Sequence, residues 1–531
     1  MALSGGLAQY LAGQFRRFVA ASRSSRGNLG AMTSPSLRLG TPAGAGTLLA
    51  AVLASGMVFL DGTVVNVALP RLGEDLDATV SDLQWTVNGY LLMLAAFVLL
   101  GGALGDRFGR RRVFLLGVVW FTVASVLCGL AQDTGQLIAA RLLQGAGAAL
   151  LTPGSLSVLQ ASFHPDDRGR AIGAWAGFSG VSTALGPFVG GWLIDEFSWR
   201  WIFFLNVPLA VVVLLAALRW VPESRDENVS RTRTAGSGRR RFDVLGTVLG
   251  AVALAGITFA LIDAPARGAT SVAVLLAAAA GVLGAVAFVL VERRRGDTAM
   301  LPTGLFTSRI FSVLNVFTVV IYAALSGFTF FVAVFLQNVA GWSALATGVA
   351  LLPVTVLLLV GSPVAGDLAT RIGPRLPLTV GPVVSAAGLL LLRGVGAEAS
   401  YWRDVLPGVF LFGLGLTLVV APLTASVLAA VADRFAGVAS GFNNAASRAG
   451  GLLAVAALPL LVGLSGTDYE RPDELTAAYR GALAWCAALL VVGAVLAVVF
   501  VRRPRQAPPP SQPCHSLPAA TGPQRGTGTA S

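Results

Sequence analysis

The sequence contains no lysine; all 38 of its basic side chains are arginines. A phosphate-loop nucleotide site needs its lysine, so that class of NTPase is excluded. Histidine occurs only at His164 and His515, too few for an imidazole-based zinc site. The cysteines Cys128, Cys486 and Cys514 have neither metal nor disulfide-framework spacing. Charge is scarce as well: 12% of residues are charged, where a soluble domain carries about a quarter. With short loops and no His-Glu zinc motif, cysteine pair or phosphate loop, a membrane enzyme is disfavoured.

What is abundant is apolar length. Hydrophobic residues make up 55% of the chain and glycine accounts for 63 positions, with a mean hydropathy of +0.75. This composition predicts an all-α polytopic membrane protein, since small residues let membrane helices approach closely. A span needs about 20 mostly apolar residues. Fourteen such segments are expected, at 47–69, 84–104, 113–131, 136–159, 170–194, 201–220, 243–263, 271–291, 310–336, 344–366, 377–396, 405–431, 437–463 and 481–501. They organise the chain into a polar tail at 1–45, a six-helix bundle at 46–220 and a basic loop at 221–242. An inserted pair of helices at 243–292, a second six-helix bundle at 293–501 and a Pro-rich tail at 502–531 follow. The tails are expected to be mostly disordered; the apolar spacing around Leu7–Val19 is compatible with either a short interfacial helix or a tail with no role.

Arginine sets the expected orientation. With the N-terminus inside, 29 of the 38 arginines lie on the cytoplasmic side, and 14 of the 26 acidic residues lie outside. That is the positive-inside pattern. It places both termini in the cytoplasm and explains the basic pI without invoking nucleic acid. The chain is therefore expected in the cell membrane as a multi-pass protein.

An internal repeat supports two related halves. GALGDRFGRR at 102–111 follows the second span, and GDLATRIGPR at 366–375 follows the tenth. Gly102, Arg107, Gly109 and Arg111 align with Gly366, Arg371, Gly373 and Arg375, while Thr370 replaces Asp106. Asp106 sits at a helix C-terminus, where a carboxylate is unfavourable without a partner. A contact of that kind, made in one conformation and broken in another, forms a gate with Arg107, Arg110 and Arg111. Asp166 and Asp167 in HPDDRGR are the expected ion-pair partners of Arg110 or Arg111.

Three charges fall well inside spans, away from their ends. Asp61, in MVFLDGTVVNVALP, lies roughly 14 Å from the outer end of its helix, and Arg141 roughly 9 Å from the outer end of an oppositely running one. Their similar depth predicts a pair that can take up and release a proton, because embedded ionisable groups face a wet cavity or one another. Arg448 lies near the bilayer centre with Asn443 and Asn444 about one turn before it. Asn66 and Gln144 complete the candidate cavity lining. Gly62 is expected to let another backbone approach beside Asp61.

The segment GAWAGFSGVSTALGPFVGG at 173–191 places Gly173, Gly186, Pro187, Gly190 and Gly191 in the fifth span. Here the resemblance to a known family becomes plain. GALGDRFGRR resembles the loop signature of the major facilitator superfamily, and RLLQGAGAALLTPG resembles its fourth-helix motif. The glycines of the fifth span resemble the antiporter motif, with Ser182 where glycine is usual. LDGTVVNVALP, WRWIFFLNVP and SGFNNAASRAGG resemble segments of the fourteen-helix drug:proton antiporters. The resemblance spans roughly residues 47–500. It implies two six-helix bundles rocking about a central cavity, proton coupling by Asp61 and Arg141, and conformational control by the loop motif.

The expected function is proton-coupled export of hydrophobic or amphipathic drugs or antibiotics. No metal or organic cofactor is expected, only the proton gradient, and the unit is expected to be a monomer. No embedded acidic residue occurs in helices 9–14, which favours neutral, anionic or monocationic substrates over dications. The alternative is an uptake symporter or facilitator of the same fold.

Overall fold

A computed structural model describes residues 37–224, 243–296, 301, 303–431 and 435–501. The segment around Leu7–Val19, most of the 221–242 loop and the C-terminal tail lie outside them. Fourteen membrane-length helices follow in order: α1 Pro42–Leu76, α2 Val80–Phe108, α3 Arg110–Leu130, α4 Thr134–Ser162, α5 Pro165–Glu196 and α6 Trp201–Trp220. Then come α7 Val244–Arg267, α8 Val272–Arg295, α9 Arg309–Asn338, α10 Ala344–Ile372 and α11 Arg375–Leu392. The last three are α12 Tyr401–Ala429, α13 Ala436–Val462 and α14 Pro472–Phe500. Thirteen are also apolar enough to cross a membrane by composition. In α5 the glycines and hydroxyls dilute the hydropathy.

Local signals explain the helix starts. Thr79 and Asp82 form a reciprocal capping box at α2, Asp133 caps α4, and Ser343 caps α10. The helices outrun the apolar cores read from sequence, because capped turns extend into the interfacial zone. α1 begins at Pro42, so the end of the N-terminal tail is ordered. Leu37 bridges to Phe163, with Leu37 N–H donating to Ser162 O at 2.7 Å and His164 N–H to Leu37 O at 3.1 Å.

Packing repeats between the halves. α1 packs on α5 and α6, and α4 on α2 and α3; α9 packs on α13 and α14, and α12 on α10 and α11. The bundles meet through α5 against α10 and α2 against α13. α7 and α8 pack on each other, and α7 also packs on α2 and α13. Leu276 and Leu283 of α8 are 65% and 67% exposed, an apolar face suited to lipid.

The base of the α7–α8 pair holds a cluster not anticipated from sequence. Asp243 caps α7 by accepting from Gly246 N–H at 2.6 Å, and Arg295 of α8 also donates to it. Glu292 accepts from Leu301 N–H at 2.8 Å. Burial acts to raise the Asp243 carboxyl. The Gly246 N–H, the Glu292 side chain and Arg295 outweigh it and hold the group below the usual aspartate range. A depressed value stabilises the fold above the unfolded pKa, and the contribution is lost as pH falls below roughly 3.9, the ordinary aspartate value. Asp243→Ala is expected to cost about 0.5–2 kcal/mol at neutral pH through the lost cap alone. Asp243→Asn retains a cap and should cost less. Thermal unfolding of both variants checks this; equal stability of wild type and Asp243→Ala refutes it.

The face where α1 begins and α14 ends is here called terminal, and the opposite face distal. Hydrogen bonds between bundles gather toward the distal face. Val80 N–H donates to Gly466 O at 2.7 Å, Tyr469 Oη to Ala78 O at 2.8 Å, and Gln337 Nε2 to Val67 O at 3.0 Å. Gln84 Nε2 donates to Val455 O at 2.7 Å. Toward the terminal face, Gly169, Gly173 and Gly177 of α5 and Gly437 of α13 face open space. Among the described residues, the hydrogen bonds that join the bundles thus lie toward the distal face.

Candidate functional site

Asp61 of α1 and Arg141 of α4 meet, and both are buried, at 0% and 1% exposure. Arg141 Nη1 donates to Asp61 Oδ2 at 2.6 Å, and Gln144 Nε2 donates to Asp61 Oδ1 at 2.8 Å. Arg141 also donates through Nε to Thr86 O at 3.0 Å and through Nη1 to Gln144 Oε1 at 2.7 Å. Its guanidinium lies 4.3 Å from the centroid of the Tyr90 ring, a favourable cation–aromatic contact. The Tyr90 hydroxyl donates to Val58 O at 3.2 Å. α4 reaches α2 this closely because Gly145 has no Cβ; one there would overlap Tyr90 O and lie 3.0 Å from Met93 Cβ. The pair is desolvated, and desolvated charges need this degree of hydrogen bonding.

Tyr90, Thr86 and Gln84 escaped the sequence reading. Tyr90 and Gln84 are polar side chains in an apolar helix, the same signal that exposed Asp61 but weaker without charge; Thr86 contributes its backbone carbonyl, which no side-chain pattern reveals. Beside Gly62 lies the Tyr90 ring, 3.9 Å from a built Cβ, and no backbone. The expected close backbone approach is therefore absent there; an aromatic wall occupies the space. Asn66 is half-buried. Asn443 donates to Asn315 Oδ1 at 3.1 Å and Thr318 Oγ1 at 2.7 Å, tying α13 to α9. Asn444 and Arg448 are half-buried, and the Arg448 guanidinium lies 5.7 Å from the centroid of the Phe59 ring of α1.

Asp106 takes its partner from the next helix. Arg110 donates to Asp106 Oδ1 through Nε at 3.0 Å and Nη2 at 2.9 Å. The expected pairing of Asp166 and Asp167 with Arg110 or Arg111 is not formed. Arg38, in the ordered end of the N-terminal tail, lies 3.2 Å from Asp166 and 3.7 Å from Asp167. These aspartates are nearer the tail than the α2–α3 turn, which sequence order could not reveal. Arg107 stacks near Phe108 at 5.5 Å, and Gly102 borders Pro153.

The repeat holds in three dimensions. Gly109 and Gly373 have φ of 109° and 86°, which L side chains rarely adopt. Arg111 Nη2 donates to Leu218 O at 2.6 Å at the end of α6, and Arg375 Nη2 to Val498 O at 2.7 Å at the end of α14. Each guanidinium satisfies a last-turn carbonyl, where positive charge also suits the helix dipole.

The α5 glycines divide by depth. Gly186 and Gly190 sit against Thr63 and Val64 of α1, and Gly191 against Ala344 and Leu345 of α10. Pro187 O in turn sits against Gly348. Gly173, nearer the terminal face, contacts nothing within 4 Å. Asp195 completes the distal seal by accepting from Ala344 N–H at 3.1 Å and Leu345 N–H at 2.8 Å. A carboxylate at the end of α5 thus caps the start of α10, where the helix dipole favours it. Among the described residues no group of three or more His, Cys, Asp or Glu side chains is placed to hold a metal.

The chain matches the Major Facilitator Superfamily over residues 51–455 and 358–523. It is 38% identical over 416 residues to the Tetracenomycin C resistance and export protein of Streptomyces glaucescens, covering 78% of this chain and 75% of that one. It is 35% identical over 468 residues to the Puromycin resistance protein pur8 of Streptomyces alboniger, covering 86% and 90%. Among solved structures, a peptide transporter POT in complex with sulfate superposes with a TM-score of 0.62 at 16% identity, covering 91% and 97%. An inward-facing bacterial homolog of the human lysosomal transporter Spinster gives 0.60 at 17%, covering 86% and 97%. Those structural likenesses speak to fold alone. On the sequence match, the repeated bundle packing and the shared fold, the chain belongs to the Major Facilitator Superfamily.

Proposed function

We propose that the chain exports small hydrophobic or amphipathic drug-like compounds across the cell membrane in exchange for protons, with no other cofactor. The observation that carries this reading is the buried Asp61–Arg141–Gln144 cluster, a carboxylate midway along its helix held by two donors. The names of the export and resistance relatives supply the substrate class. The arginine bias supports a cytoplasmic terminal face, and the hydrogen bonds that join the bundles then lie toward the outside.

In this state Asp61 is out of reach of water. Opening the distal face is what would bring external protons to it. Protonation removes its charge, so Arg141 loses its ionic partner, and the two bundle arrangements then differ in free energy. A coupled ligand must bind the two states differently, and a buried ion pair that forms in one protonation state meets that requirement. One chain contains both bundles and the whole cluster, so the proposed unit is a monomer.

An efflux-deficient bacterial host carrying the gene should tolerate more tetracenomycin C or puromycin than the empty host, and an uncoupler should abolish the difference. Inside-out vesicles test direction. An inward-acid proton gradient should drive radiolabelled puromycin into them. Gradient-driven loss from preloaded vesicles would establish the symporter instead.

A further inference from the structure

Arg448 lies midway along α13 (Ala436–Val462), deep in the membrane region. Its Nε is buried without a hydrogen-bond partner. No acidic side chain among the described residues pairs with it. Asp61 is not available, because both of its oxygens are taken by Arg141 and Gln144. The charges around the centre are therefore one carboxylate and two guanidiniums, a surplus of one positive charge. An unpaired guanidinium in a low-dielectric cleft is costly, and a ligand that supplies the missing charge recovers that cost.

The surroundings define the ligand's shape. The guanidinium reaches from the second bundle to the Phe59 ring of the first, 5.7 Å away. An aromatic face beside the charge suits a flat aromatic body, and a guanidinium fork suits a planar oxyanion. The same surplus charge repels a permanent cation.

We propose that Arg448 is a substrate-specificity residue, which anchors aromatic compounds through an ionised acidic oxygen, phenolate or carboxylate. This rests on the exporter reading and narrows it: Asp61 and Arg141 couple, and Arg448 selects. Among the described residues Arg448 makes no hydrogen bond or ion pair, only the contact with the Phe59 ring, so its replacement changes binding more than folding.

The test uses fluorescein and rhodamine 123, which share a xanthene ring system and carry opposite charge. Binding of each to the purified full chain in lipid nanodiscs is followed by fluorescence anisotropy. Wild type should bind fluorescein in preference to rhodamine 123. Arg448→Gln should weaken fluorescein at least tenfold and leave rhodamine 123 unchanged or tighter. Arg448→Lys should restore much of the fluorescein affinity. Failure of wild type to bind fluorescein, unchanged affinity in Arg448→Gln, or equal loss of both dyes overturns the proposal. Proteoliposome transport separates the two readings. Proton-driven export of fluorescein that ignores Arg448 leaves the exporter standing and removes this site. Arg448-dependent fluorescein binding with no proton-driven movement keeps the site and removes the exporter.

Discussion

Asp61→Asn protein is expected to reach the membrane folded and to lose proton-driven export, with transport falling to the level of empty vesicles. Removing one partner of a buried ion pair costs roughly 3–5 kcal/mol, because the other charge is left stranded. The asparagine oxygen still accepts from Arg141, and the Gln144 amide can turn its oxygen toward the new amide group. The penalty should therefore fall below that range and show as a lowered melting temperature. The double variant Asp61→Asn/Arg141→Gln removes both charges and should recover stability relative to either single change. It should not recover coupling, since no group at the site then titrates in the working range. Stability and coupling are thereby separated. Export by Asp61→Asn that still follows the proton gradient at the wild-type rate would refute the coupling role.

Gly191→Leu is expected to hold the distal face open and to cut export at least tenfold. A Cβ at Gly191 would lie 2.5 Å from Leu345 Cα and 2.6 Å from Ala344 O. Both neighbours are helix backbone, which cannot give way as a flexible side chain can. Overpacking of this kind costs about 1–3 kcal/mol, and about 1.4 kcal/mol shifts a two-state ratio tenfold. The cost falls only on the state in which α5 touches α10, so the equilibrium moves toward distal opening. Asp195 then loses the Ala344 and Leu345 N–H groups it caps, which adds to the shift. Spin labels at Gln132 and Glu398, exposed positions on the distal loops of the two bundles, should report a longer distance in Gly191→Leu. An unchanged distance distribution would show that this glycine does not control closure.

The helical class, the span count and the two-fold repeat are legible in the sequence because the bilayer imposes them one segment at a time. Each span must satisfy its own backbone and present apolar side chains, so its signal is local. The repeat is legible because Gly109 and Gly373 each need a positive φ and Arg111 and Arg375 each need a carbonyl at the end of a sixth helix. Asp61 and Arg141 were legible as a pair because charge in an apolar run is rare and depth follows from helical rise.

Partners without charge, or reached through folding, left no such trace. Tyr90 and Thr86 O join the site only because α2 lies against α4, and Gln84 reaches Val455 O only because α2 lies against α13. Arg38 takes Asp166 and Asp167 because the chain before α1 tucks under the α4–α5 turn. Asp195 did carry a readable sign, a carboxylate at a helix C-terminus, but its answer lies on α10 in the other bundle. Composition and local pattern settled the class, the spans and the embedded charges, since each of these is decided within one helix. Which face carries the hydrogen bonds between bundles, which carboxylate caps which helix, and that Arg448 has no acidic partner among the described residues depend on how fourteen helices pack. Those contacts join residues up to several hundred positions apart, and only folding brings them within hydrogen-bond reach.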